Sequence, residues 1–210
     1  MAKSKVNVME GRICDPDVML ILTSAERTVE WSEFATQQNW VRGYGQDDAF
    51  PAPEATIECL RDEEVIGWRA FWLGLLLRCL LHNSSEIRDF VHEQFPQDWV
   101  SVVEEADISG WYPAVRRNFE KASDVLDEID EHLTAIDQWL FVAYDGLEVF
   151  DAAGSYMPIR ALIGFWFDRL RRWRRLRAKI FLRSDLFSIG RLNFPDASKL
   201  RAHTFDLSEH

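Results

Sequence analysis

The hydrophobic period of the chain changes sharply between residues 136 and 139, and that change limits the folds open to it. Before it, Val115, Phe119, Ala122, Leu126, Ile129, Leu133 and Ile136 alternate steps of four and three, the stripe of an amphipathic helix. After it, residues 139–144 (WLFVAY) run apolar without a break and end in Asp145-Gly146, the pattern of a strand buried on both faces. A doubly buried strand needs crossover segments lying on its sheet. The pattern therefore predicts an α/β fold with a mostly parallel sheet.

The flanking segments extend this reading. Residues 18–23 (VMLILT) suit a buried strand, while Asp15-Pro16 equally suits the opening of a helix through Glu26; the strand is adopted. Residues 40–45 (WVRGYG) read as a short strand that closes into a turn-rich loop, with Pro53 as the first residue of a helix. From residue 54 to 136 the pattern is helical. Val65, Trp68, Trp72, Leu76, Cys79 and Leu80 recur at helical spacing, and Phe71, Leu73, Leu75 and Leu77 fill the gaps, so this helix is apolar nearly all round and covered on several sides. Ser84 or Ser85 caps a further helix that Pro96 ends, and Pro113 opens the next. After residues 151–157 as a loop, Pro158 starts a helix buried through Ile159, Leu162, Ile163, Trp166, Leu170 and Trp173. Residues 179–182 (KIFL) and 204–207 supply two more strands. The chain of 210 residues reads as a single domain, with residues 54–136 as a large helical insert and 137–210 carrying the later strands.

Composition excludes several classes of function. A net charge of −11 repels nucleic acid at long range, so any such contact has to be local. Cys14, Cys59 and Cys79 are odd in number and too widely spaced for a zinc set, and are expected as reduced, buried thiols of a cytoplasmic protein. His82, His92, His132, His203 and His210 are scattered, with no HExxH, and no GxSxG nucleophile motif occurs. No apolar leader follows Met1, and the run 70–81, broken by Arg78, is short of a membrane span, so neither leader nor anchor is expected.

In open α/β sheets, ligands bind at the carboxyl ends of strands, which draws attention to Asp145. A carboxylate there can hold Mg²⁺ opposite a nucleotide's phosphates, and Glu148 can polarise the attacking water. The alternative is that Asp145 begins a turn and Glu148 is solvated. Arg183 and Asp185 end the next strand and are expected to face the same crevice, where an arginine can read a terminal phosphate; otherwise they form a surface pair.

Residues 139–148 (WLFVAYDGLE) resemble the Walker B segment of STAND and KAP-like bacterial P-loop ATPases. The block 179–185 (KIFLRSD), with 194–201 (FPDASKLR), is similar to a stretch in large bacterial ATPases linked to phage defence, and residues 41–45 and 68–72 fit the same group's helical insert. The resemblance implies a partial P-loop NTPase-like, three-layer fold that binds ATP and Mg²⁺ and acts as an ATP-dependent switch in a defence or signalling assembly. It assigns the metal to Asp145, water activation to Glu148 and nucleotide sensing to Arg183 and Asp185. The chain departs from the family in having no GxxxxGK[ST] string, whose amides and lysine cradle phosphate. Ala2-Lys3-Ser4 matches the tail of one, and equally an ordinary polar start; Lys3 and Ser4 are the phosphate-binding candidates. Relatives continue beyond Leu207, so the chain is expected to be either an incomplete piece or a reduced, nucleotide-free relative.

A second candidate is basic. Arg169, Arg171, Arg172, Arg174, Arg175, Arg177 and Lys179 crowd the end of one helix and the start of a strand in an acidic protein. The helix dipole favours cations there, which makes the cluster architectural; as a docking surface, Arg171, Arg172 and Arg175 would take a protein partner, a second copy or local nucleic acid. Asp124, Asp127, Glu128, Asp130 and Glu131 form an acidic helix face able to pair with it, within the chain or between copies. The alternative function is thus a non-catalytic interaction module with no membrane role.

Overall fold

The computed structural model describes residues 18–22, 39–45, 49–152, 155–183, 185–187, 192 and 197–206. In chain order these form β1 (Val18–Leu22), β2 (Asn39–Tyr44), α1 (Pro53–Cys59), α2 (Val65–Asn83), α3 (Ser85–Gln94), α4 (Gln97–Glu105), α5 (Ile108–Arg117) and α6 (Phe119–Ala135). There follow β3 (Leu140–Tyr144), α7 (Glu148–Ala152), α8 (Met157–Arg169), β4 (Leu176–Arg183), a 3-10 turn (Ala197–His203) and β5 (Thr204–Asp206). The class is mixed α/β, with a long helical segment between β2 and β3.

The sheet runs β2-β3-β4-β1-β5. β2, β3 and β4 are parallel neighbours, Val41 opposite Val142 and Val142 opposite Ala178. β1 pairs antiparallel with β4 and with β5, so parallel pairing is confined to three strands and is less extensive than the sequence predicts. The reason is topological: the handedness rule governs strands joined by a crossover, and β1 and β4 come from opposite ends of the chain. The steps from β2 to β3 and from β3 to β4 move the same way across the sheet. Right-handed crossovers that move the same way lie on one face. Accordingly α8 packs on α2, α2 reaches β2 and α6 reaches β4. Leu176, Ala178, Ile180 and Leu182 of β4 join this helical core, and Arg177, Lys179 and Phe181 alternate to the opposite face. The described helices thus make one layer over the sheet.

A bulge shapes β2. Pairing with β3 shifts between Arg42 and Tyr44, which adds a residue and brings both Val41 and Tyr44 onto the helical side. Gly43 occupies the bulge because a Cβ there would lie 2.5 Å from the Tyr144 ring and 2.6 Å from Val142 Cγ1. The inward Tyr44 ring meets Trp72 edge-on at 5.8 Å and Phe150 at 5.2 Å. The Cys79 thiol donates to the Gly43 carbonyl.

The central helix is α2, buried from Gly67 almost continuously to Leu81, as its all-round apolar pattern predicts. It has the length and composition of a membrane span, yet 72% of that window is buried inside the fold. Trp72 Nε1 donates to the Pro158 carbonyl at 2.7 Å, tying α2 to the start of α8. Its interior charge, Arg78, is accommodated by the Val103 carbonyl and the Trp111 ring, 5.7 Å away. Ser84 caps α3 as expected, accepting from the Ile87 amide. Pro113 lies inside α5 instead of opening a helix: Asp107 is the cap, accepting from the Gly110 amide at 3.1 Å. The apolar stripe then crosses a real break at Asn118, whose side chain donates to the Ala114 carbonyl at 2.8 Å. Cys79 is buried and Cys59 exposed, correcting the expectation for Cys59: it sits in the last turn of α1, on that helix's outer side; Cys14 lies outside the described residues.

Gly43→Ala should destabilise the protein by about 2 kcal/mol in urea unfolding, because the buried Tyr144 and Val142 have no room to retreat. His92 bridges α3 and α4, hydrogen-bonded to Gln97 and, at 2.8 Å, to Glu104, and these bonds raise its pKa above the ordinary 6.5. The folded state therefore favours the imidazolium; this contribution is complete below about pH 6.5 and is lost as pH rises through the folded pKa. His92→Gln should lower Tm more at about pH 5.5 than at about pH 8 in paired thermal scans.

Candidate functional site

At the carboxyl edge of the parallel strands, the Asp145 amide donates to the Tyr44 carbonyl at 3.3 Å. Asp145 Oδ1 accepts from the Gly146 amide at 2.8 Å, and Gly146 adopts φ 70°, a left-handed value that suits glycine. The carboxylate closes its own turn. Leu147 and Phe150, both fully buried, then anchor α7, with Glu148 as its first residue. Glu148 and Glu54 both lie close enough to the Tyr44 phenol to reinforce the main effect of burial, which pushes that group up to about 12. Arg42 stands at the same edge, its guanidinium beside Gly45 and 5.3 Å over the Phe50 ring, so the edge carries both signs.

Arg183 and Asp185 stand elsewhere along the edge. Tyr144 is opposite Ile180, so Arg183 lies three residues beyond the paired end of β3, about 10 Å along the strand. There it pairs with Val18 of β1 in the ladder. Its guanidinium binds Asp185 through two bonds, Nε to Oδ1 at 3.1 Å and Nη2 to Oδ2 at 2.9 Å, with both side chains exposed. Because β2, β3 and β4 follow one another without a reversal of strand order, no switch-point crevice opens between them. Among the described residues, no three His, Cys, Asp or Glu side chains come together to hold a metal ion. With one Asp145 oxygen taken by the Gly146 amide and no third ligand gathered beside it, the described residues supply no built site for a magnesium nucleotide. Lys3 and Ser4 lie outside the described residues.

The arginine-rich turn between α8 and β4 is more elaborately built. Asp130 of α6, 4% exposed, accepts from three successive backbone amides: Arg174 (2.8 Å), Arg175 (2.8 Å) and Leu176 (2.7 Å). Asp127, one turn earlier on α6, takes the Trp173 indole N–H at 2.6 Å and pairs with Arg172. Trp173 is buried against Phe165 and Trp166. Arg169 lies 4.0 Å over the Phe165 ring and donates to Ser123 Oγ at 3.2 Å; burial, opposed by Asp127 and Asp168, lowers its pKa to about 10.

The turn uses most of its charges internally. Arg175 pairs with Asp137 and stacks over Trp139 at 4.8 Å. Arg177 donates to the Trp173 carbonyl, and Lys179 sits buried with its amine 5.4 Å over the Phe141 ring, its pKa pulled down to about 8 by burial and then by Arg177. Arg171 and Arg174 remain: both are exposed, and among the described residues neither guanidinium has a carboxylate partner. Of the docking candidates Arg171, Arg172 and Arg175, the last two are thus engaged by α6 and by Asp137. Asp127 and Asp130 thus engage the basic cluster within the chain, one of the two uses the sequence allowed. What the sequence did not show is that Asp130 is buried and takes backbone amides, its signal being its place beside Leu126, Ile129 and Leu133 on the inward side of α6.

Fold and site together define an α/β unit with a mixed sheet, three of whose described strands are parallel, under one layer of the described helices, and a basic turn held by a buried carboxylate. Comparison of the chain with protein-family models, curated proteins and solved structures gives no match.

Asp130→Ala should cost about 3–5 kcal/mol in chemical denaturation, because three amides lose their acceptor, and Asp130→Asn, which keeps one carbonyl oxygen, about half as much. Asp124→Ala, on the exposed side of the same helix, should stay within about 0.5 kcal/mol of the parent.

Proposed function

We propose that the chain is a non-catalytic protein-interaction module of the cytoplasm, which docks an acidic protein surface through the turn between α8 and β4. The observation that supports this most directly is the carboxylate clamp: Asp130 and Asp127 hold the backbone of the turn, and Arg171 and Arg174 project from it with their charge unspent. In a protein of net charge −11, a fixed basic projection attracts an acidic partner locally while the rest of the surface repels it.

The second reading is a nucleotide-binding core of the STAND type, working as an ATP-dependent switch in a larger defence or signalling assembly. What favours it is Asp145, which follows a fully buried parallel strand at the edge where α/β folds bind ligands. Against it stand the turn bond from the Gly146 amide to Asp145 and the mutual pairing of Arg183 with Asp185.

Calorimetry separates the two. Titration of ATP with Mg²⁺ into the chain should give no binding heat, and Asp145→Ala should behave like the parent. Saturable binding that Asp145→Ala abolishes would overturn the interaction reading in favour of the nucleotide switch.

A further inference from the structure

The outer side of α6 carries Glu120, Asp124 and Glu128 at four-residue intervals, with Glu131 three residues on, so they form one ridge along the helix. All four are exposed, and among the described residues none makes an ion pair. Like charges at this spacing oppose helix formation, so the ridge is electrostatically unfavourable in the isolated chain. The basic turn borders it through Asp127, which binds Arg172 and Trp173 and lies one helical turn from both Asp124 and Glu131, at the spacing that places side chains on the same face. Two patches of opposite sign therefore sit side by side on one surface, about a helix width apart.

Resting on the interaction reading above, we propose that the partner of the basic turn is a second copy of this chain, with Arg171 and Arg174 of each copy docked on the acidic ridge of α6 in the other. Side-by-side patches of opposite sign are self-complementary across a two-fold axis, because one rotation sets each turn on the other copy's ridge and satisfies both at once. The contact closes at two copies. The turn cannot relieve the ridge by folding onto it within the chain, since Asp130 and the buried Trp173 fix its backbone. A nucleic acid fits this surface less well, because its phosphates would meet four carboxylates next to two arginines. An interface made of exposed charges is weak and salt-sensitive.

Sedimentation equilibrium of the full chain tests this. A dimer is expected at about 0.05 M salt, dissociating at about 0.5 M. Arg171→Glu with Arg174→Glu, and separately Asp124→Lys with Glu128→Lys, should each be monomeric at low salt, with circular dichroism and Tm near the parent's because all four positions are exposed. Mixing the two variants should restore a dimer, since one then carries only acidic patches and the other only basic ones. A monomeric parent at low salt, a dimer indifferent to both reversals, or variants whose mixture stays monomeric would each overturn the proposal, as would a monomeric parent that retains duplex DNA through Arg171 and Arg174. A monomer that also binds no ATP leaves the interaction reading standing with a different partner, whereas Asp145-dependent ATP binding removes that reading whatever the oligomeric state.

Discussion

The connection between the helical segment and the sheet turns on the carboxylate of Asp130. β4 is preceded by a run of arginines that would otherwise hold the chain in solvent, and its first amides would be buried without acceptors as it enters the core at Leu176. Asp130 supplies acceptors to three of them, and Asp127 steadies the neighbouring Trp173 and Arg172. A buried carboxylate satisfied by several amides is far more stable than one left bare, and its charge is further balanced by the cations around it. Removing the acceptor exposes the cost of the whole arrangement. β4 leaves this point to pair with β3 on one side and with β1 on the other.

Much of the fold is readable from the pattern of apolar residues, because that pattern reports burial. The stripe of α6, the buried run of β3 and the all-round apolar α2 each follow from it, and the serines at 84–85 mark the cap of α3. What the pattern does not report is the partner. β4 begins at Leu176, three residues before the apolar run suggests, because Leu176 and Ala178 alternate with Arg177 and Lys179, and long cationic side chains hide a strand's periodicity. The bulge at Gly43 is set by the position of Tyr144, a hundred residues on, and the direction of β1 by a neighbour at the other end of the chain. Pro113 misleads because the Asp107 cap starts α5 earlier.

The candidate site divides in the same way. Residue types at the strand ends were legible, and Asp145, Glu148, Arg183 and Asp185 do lie along one edge of the sheet. Both uses of each residue were legible, as a local turn and surface pair or as members of a ligand site, but the sequence does not choose between them; the structure shows the local bonds. Strand order decides between these uses. With β2, β3 and β4 in unbroken succession and the described helices on one face, the strand ends do not part into a cleft.

The bulge in β2 has an effect beyond turning Tyr44 inward. Among the described strands β2 is the outermost on its side, and an outer strand presents a row of unpaired amides and carbonyls to any other exposed strand. The extra residue at positions 42–44 breaks the even spacing that such a neighbour would have to match, and the exposed Arg42 adds a charge to the rim. The same glycine that lets Tyr144 approach therefore makes the margin of the sheet a poor template for aggregation.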